Sequence, residues 1–171
     1  MDYTELQNGS DIRGVALPGV EGQAVTLTDR ACRDIGRGFA LWLCEKLGRR
    51  PWRVAVGRDS RLSGPALAEA LVGALAAQGM AVTDLGMETT PAMFLCTVTP
   101  GYAFDASVII TASHLPWNRH GFKFFTRSGG AESADIRAIL ALAAGAETTG
   151  LGPGTAETGS FLDAYAALLA D

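Results

Sequence analysis

The sequence predicts an α/β domain, a three-layer α/β/α arrangement around a mostly parallel mixed sheet. Three observations lead there. Short apolar, β-branched runs alternate with longer blocks of helical periodicity, an order that implies crossovers and a sheet covered on both faces. Most helical blocks open on a Ser, Thr or Asp, two carry a Pro at their start, and two close on Gly. The chain has 171 residues, 48% of them hydrophobic and 19% charged, enough for one sizeable core.

The elements follow in order. Thr28 or Asp29 caps a helix running to Leu47, with Ala31, Ile35, Phe39, Trp42, Leu43 and Leu47 on one face and Gly48 as the stop. Trp52 to Val56 reads as a short strand that empties into the polar loop 57–64, and Pro65 to Gln78 as a helix closed by Gly79. Met80 to Leu85 is the next strand, and Thr90-Pro91 opens another helix. A strand at Ala106 to Ile110 stops abruptly at Thr111-Ala112-Ser113-His114, and Phe122 to Phe125 is a further strand with its turn at Ser128-Gly129-Gly130. Ser133 is expected to cap a helix to Ala144. The domain is expected to span residues 1–146, with a flexible connector over 147–159. Ser160 then caps a short apolar helix, 160–171, that exposes enough apolar surface to imply a missing partner.

Composition excludes several classes. A net charge of −4 argues against a general nucleic-acid surface, so an anionic ligand must be small and locally held. Cys32, Cys44 and Cys96 fall in apolar patterns without metal-like spacing and read as reduced core residues. No stretch approaches the roughly 20 apolar residues of a membrane span. The start, with Asp2 and Glu5, lacks signal-peptide character, so a cytoplasmic location is expected, or an organelle stroma.

The chemistry concentrates between Thr111 and Lys123. Ser113, His114, Arg119 and Lys123 supply a hydroxyl nucleophile, an imidazole, a guanidinium and an ammonium within about ten residues of a strand end, a mixture suited to phosphate. Taken alone, Ser-His after a strand is more often a turn cap than a nucleophile. Arg58-Asp59-Ser60-Arg61 is by itself a solvated loop with an ion pair, and Asp11 with Arg13 a surface pair. Trp117 reads as a loop-packing aromatic or a sugar-stacking one, and Lys123 alone as an outward-facing strand lysine. There is no G-x-S-x-G elbow and only two histidines are present, which disfavours a serine hydrolase.

Together, Asp11-Ile12-Arg13-Gly14, Gly57-Arg58-Asp59-Ser60-Arg61, and Thr111-Ala112-Ser113-His114 followed by Gly121-Phe122-Lys123 resemble the first domain of the α-D-phosphohexomutases. These include the phosphoglucomutases and phosphomannomutases. The resemblance covers residues 9 to 145 and implies a phosphoserine at Ser113 that exchanges phosphate with a hexose monophosphate through a hexose 1,6-bisphosphate. It implies Lys123 in proton transfer or charge stabilisation and Arg13 at the transferring phosphoryl group. His114 would be a proton-handling partner, with Arg58, Arg61 and Arg119 as phosphate supports.

The resemblance further implies Mg²⁺ on the phosphoserine, a glucose 1,6-bisphosphate-type activator and partner domains of the same enzyme. The other metal ligands would lie on a second domain, since no D-x-D-x-D pattern occurs here. The chain alone is therefore expected to be inactive. Leu115, His120 and Ser10 depart from the commonest family pattern. An alternative reading is a phosphate or sugar-phosphate binding module without turnover.

Overall fold

The computed structural model describes residues 2–145 and 151–170. A single 3-10 turn, Thr4–Leu6, precedes strands β1 (Gln7–Asn8) and β2 (Asp11–Val15). There follow α1 (Asp29–Leu47), β3 (Arg53–Arg58), α2 (Gly64–Ala77), β4 (Ala81–Met87), α3 (Thr90–Val98) and β5 (Ala106–Ile110). The chain continues through β6 (Arg119–Thr126), β7 (Gly129–Gly130), α4 (Ser133–Ala144), β8 (Thr155–Thr158) and α5 (Leu162–Ala170).

The strands form one mixed sheet in the order β1-β2-β6-β5-β3-β4-β8, with β7 beside β6. The half made of β5, β3, β4 and β8 is parallel, while β1, β2, β6 and β7 pair antiparallel. Residues alternate between the two faces, as pleating requires. Val54, Val56, Val108 and Ile110 meet α1, α2 and α4 on one side. Ala55 and Ile109 meet α3 and Phe161 on the other. This produces the three layers.

Local chemistry sets most boundaries. The Thr28 hydroxyl accepts the Ala31 N–H at 3.1 Å, and Gly48 at φ +99 ends α1. Several expected details shift. Leu47 is 40% exposed and belongs to neither core. Thr89, one residue earlier than Thr90, caps α3 through its 3.2 Å bond from the Ala92 N–H. Glu132 rather than Ser133 caps α4, because Glu132 and Asp135 form a reciprocal capping box. Helix α5 begins after Phe161, so Ser160 does not take the cap position.

Residues 146–150, which include the start of the expected connector at 147–150, lie outside the described residues. The remainder is not a loop throughout, because Thr155–Thr158 extends the sheet beside β4. Gly154 permits the approach: a Cβ there would meet the Met80 carbonyl oxygen at 2.1 Å. Helix α5 docks through Phe161, which is fully buried against Tyr102 with ring centroids 4.7 Å apart. Leu162, Leu168 and Leu169 remain exposed. Cys32, Cys44 and Cys96 are free, and burial pushes the Cys32 and Cys96 thiols up to about 12. Among the described residues no helix is long and apolar enough to cross a membrane.

Candidate active site

Strands β3 and β5 run parallel, so the loops that follow them emerge at one rim of the sheet. The Asp59 N–H reaches the Ile110 carbonyl at 3.0 Å and fastens the two loop bases together. Between the loops lies an open cleft of about 640 Å³ lined by Asp59, Ser60, Arg61, Leu62, Thr111, Ser113, Leu115 and Trp117.

Ser113 is exposed at the edge of this cleft with φ +54, a left-handed conformation uncommon for a residue with a Cβ. Its backbone N–H donates to the Thr111 hydroxyl at 3.1 Å, a local bond that supports the turn. The hydroxyl of Ser113 lies 3.3 Å from His114 Nδ1, and His114 is exposed as well. A fully buried strand thus delivers one strained, accessible hydroxyl with an imidazole beside it.

Arg13 and Lys123 come from β2 and β6, the strands that extend the sheet past β5. Arg13 pairs with Gly121, and Lys123 lies opposite Ile109. The Arg13 guanidinium donates to the Thr111 carbonyl and, at 2.7 Å, to Asp11 Oδ2. The other oxygen of Asp11 holds Lys123 Nζ at 2.8 Å. One carboxylate therefore joins both cations, and Asp11 enters the site as a residue that the sequence reading left as one half of a surface pair. Close approach of β2 and β6 depends on Gly121, where a Cβ would sit 1.9 Å from the Ile12 carbonyl oxygen.

The three remaining predicted arginines differ in place. Arg61 donates to the carbonyls of Ser113, Leu115, Pro116 and Arg119 at 3.1, 2.6, 2.6 and 3.1 Å and lies 3.4 Å from Asp59 Oδ2. It clasps the Ser113 loop rather than facing the cleft with unengaged donors. Arg119 opens β6 and keeps a buried Nε without a hydrogen-bond partner. Arg58 ends β3 and lines a separate depression of about 620 Å³ together with Glu69, Asp84 and Glu157.

Asp59 and His120 complete the rim. His120, a departure from the family pattern, is fully buried, with Nε2 3.1 Å from Asp59 Oδ1 and Nδ1 2.7 Å from the Ser63 hydroxyl. Burial pushes the Asp59 carboxyl up, but hydrogen bonds from the Arg61 N–H and the Thr111 hydroxyl, with nearby positive charge, hold it below the usual range. Burial likewise holds His120 below the ordinary imidazole value despite Asp59. Trp117 is 56% exposed and faces Gly19.

Metal-binding capacity is limited. Among the described residues no group of three His, Cys, Asp or Glu side chains is placed to hold a metal ion. Asp11 and Asp59 are each already engaged with cations. The residues around Ser113 do not by themselves fit a divalent cation.

Comparison with known proteins gives a consistent picture. The family model described as phosphoglucomutase/phosphomannomutase, alpha/beta/alpha domain I, matches residues 5–149. A phosphoglucosamine mutase from Geotalea uraniireducens (strain Rf4) is 35% identical over 122 residues, covering 71% of this chain and 25% of its own length. A phosphoglucomutase from Neisseria gonorrhoeae is 36% identical over 132 residues, covering 77% of this chain and 26% of its own length. The crystal structure of a phosphoglucomutase/phosphomannomutase family protein from Burkholderia thailandensis superposes with a TM-score of 0.80 at 31% identity. That superposition covers 96% of this chain and 35% of that one. The chain spans about a quarter of the length of these two curated relatives.

Proposed function

Since this chain belongs to the phosphoglucomutase/phosphomannomutase family as its α/β/α domain I, we propose that it is the phosphoserine-bearing part of a hexose-phosphate mutase. The reaction proposed is the interconversion of hexose 1-phosphate and hexose 6-phosphate through a hexose 1,6-bisphosphate, the bisphosphate also serving as activator. The observation that carries the reading is Ser113, exposed at φ +54 on the end of a buried strand, with Arg13 and Lys123 joined through Asp11 on the neighbouring strands.

The residues divide the chemistry as follows. In phosphorylation of the enzyme, the Ser113 oxygen bonds to phosphorus while the bond from phosphorus to the sugar oxygen breaks. The Ser113 proton passes to His114 Nδ1, 3.3 Å away, and the departing sugar oxygen takes up a proton from solvent. The reverse transfer places the phosphoryl group on the other end of the sugar. Arg13 and Lys123 offset negative charge on the transferring group. Mg²⁺ would supply charge neutralisation at the phosphoserine. This chain offers it one ligand, the phosphate on Ser113, so the remaining ligands belong to further domains, without which the chain is inactive.

Intact-mass measurement of the full-length protein after incubation with glucose 1,6-bisphosphate tests the proposal. The expected result is the gain of one phosphoryl group, lost in Ser113→Ala. An adduct that survives Ser113→Ala overturns the assignment. Saturable binding without any adduct favours a sugar-phosphate binding module instead.

A further inference from the structure

The loop that carries Ser113 is tied to a hydrogen-bonded chain that starts inside the domain. Ser63 and His120 are 4% and 0% exposed. Ser63 precedes α2, where a serine hydroxyl ordinarily accepts a free helical N–H. No such bond forms here, and the hydroxyl instead lies 2.7 Å from His120 Nδ1. The opposite ring nitrogen lies 3.1 Å from Asp59 Oδ1. An ionised carboxylate can only accept, so Nε2 carries the proton, Nδ1 keeps its lone pair and the Ser63 hydroxyl donates to it. Burial lowers the imidazole from its ordinary value and so favours the neutral ring, which agrees with this tautomer.

Asp59 passes the constraint outward by two routes. The nearby Thr111 hydroxyl helps hold its carboxyl low, and the Thr111 oxygen accepts the Ser113 N–H at 3.1 Å. Asp59 also accepts the Arg61 backbone N–H at 3.0 Å and faces the guanidinium that gathers the four loop carbonyls. We infer that His120 is a positioning residue for the Ser113 loop: by fixing Asp59 it sets both the Thr111–Ser113 turn and the Arg61 clasp. A side chain wholly buried behind the cleft thereby controls the attitude of the nucleophile. The inference rests on Ser113 being the phosphoryl carrier.

The test follows the rate at which Ser113 gains a phosphoryl group in the full-length protein, with glucose 1,6-bisphosphate as probe. His120→Leu removes both ring nitrogens and is expected to slow transfer about 100-fold, the scale of a displaced reacting group. Arg61→Lys, which cannot span the loop carbonyls, is expected to lose a comparable factor. His120→Gln, whose amide N–H can reach Asp59, is expected to recover most of the rate, which a merely space-filling role would not require. A wild-type rate in folded His120→Leu or in Arg61→Lys overturns the inference, as does a Gln variant no faster than Leu. If His120→Leu does not fold, Arg61→Lys decides. If the unsubstituted protein takes up no phosphoryl group, the proposed function fails instead. The ¹⁵N shifts of His120 then still test the linkage: an Nε2-protonated neutral ring supports it and an Nδ1-protonated ring sinks it.

Discussion

Asp11 Oδ1 lies 2.8 Å from Lys123 Nζ, and the same carboxylate holds Arg13 through its second oxygen at 2.7 Å. Two long cationic side chains that would otherwise sample many rotamers are thereby held at one rim. Asp11→Asn keeps the shape but weakens both contacts, the charge-assisted hydrogen bond from Arg13, contributing about 1.5–3 kcal/mol, and the ion pair with Lys123. The site also becomes more positive, so phosphate binding does not suffer. The expected outcome is a turnover reduced by roughly tenfold with unchanged or tighter affinity for the bisphosphate. Steady-state kinetics on the full-length protein separate the two effects. A loss confined to affinity would refute the positioning role of Asp11.

The parts of the site legible in the sequence were those marked by local pattern. Ser113 follows a buried β-branched run that ends in a turn, and Lys123 sits in the strand after it, so their places were legible, while their roles rest on the resemblance. Asp11 and His120 were not legible in the same way. Their roles come from pairings across the sheet, Asp11 with Lys123 and His120 with Asp59, and no local periodicity encodes a contact between residues so far apart in the chain. The signal for His120 was its departure from a resembling pattern, and the signals for Arg61 were its charge and its place in the Gly57-Arg58-Asp59-Ser60-Arg61 motif. Arg61 proved to be directed at backbone carbonyls rather than at the open cleft.

Gly121 joins the site to stability. Its backbone lies against Ile12 and Arg13 so closely that an added Cβ would stand 1.9 Å from a carbonyl oxygen and 2.7 Å from Arg13 Cδ. Neither contact can be relieved by a flexible chain end alone, because the first is backbone. Gly121→Ala must part β2 from β6, and the expected cost is about 3 kcal/mol, the upper range for overpacking. Gly22→Ala provides the comparison: Gly22 has φ +74 but nothing within 4 Å, so only conformational strain remains, about 1 kcal/mol. Urea unfolding of both variants checks the order. Equal midpoints would show that the strands can separate freely.

The fold was legible where burial is one-sided or complete and where caps are explicit, as in α1 and β5. It was not legible in β8. Thr155–Thr158 is exposed along its whole length, so neither alternation nor an apolar run marks it, and its place in the sheet depends on the Gly154 approach to Met80. Strand β2 was likewise hidden, because Asp11 and Arg13 interrupt its apolar pattern with side chains that the site engages.

Glu88 gives the domain a pH dependence that the proposed chemistry does not use. It follows β4, is 6% exposed, and its N–H is bonded to the Arg58 carbonyl at 2.9 Å. Burial raises its carboxyl above the ordinary value of 4.5, and the Phe161 backbone N–H draws it only part-way back. The folded chain therefore keeps this proton to higher pH than the unfolded chain. Stability from the protonated form is complete below the unfolded value and is lost as pH rises through the folded one. Glu88→Gln holds the neutral shape at every pH. The variant is expected to unfold at higher urea than wild type near about pH 7, with the difference closing near about pH 4. A gap that persists unchanged into acid would mean that packing, not charge, separates the two proteins.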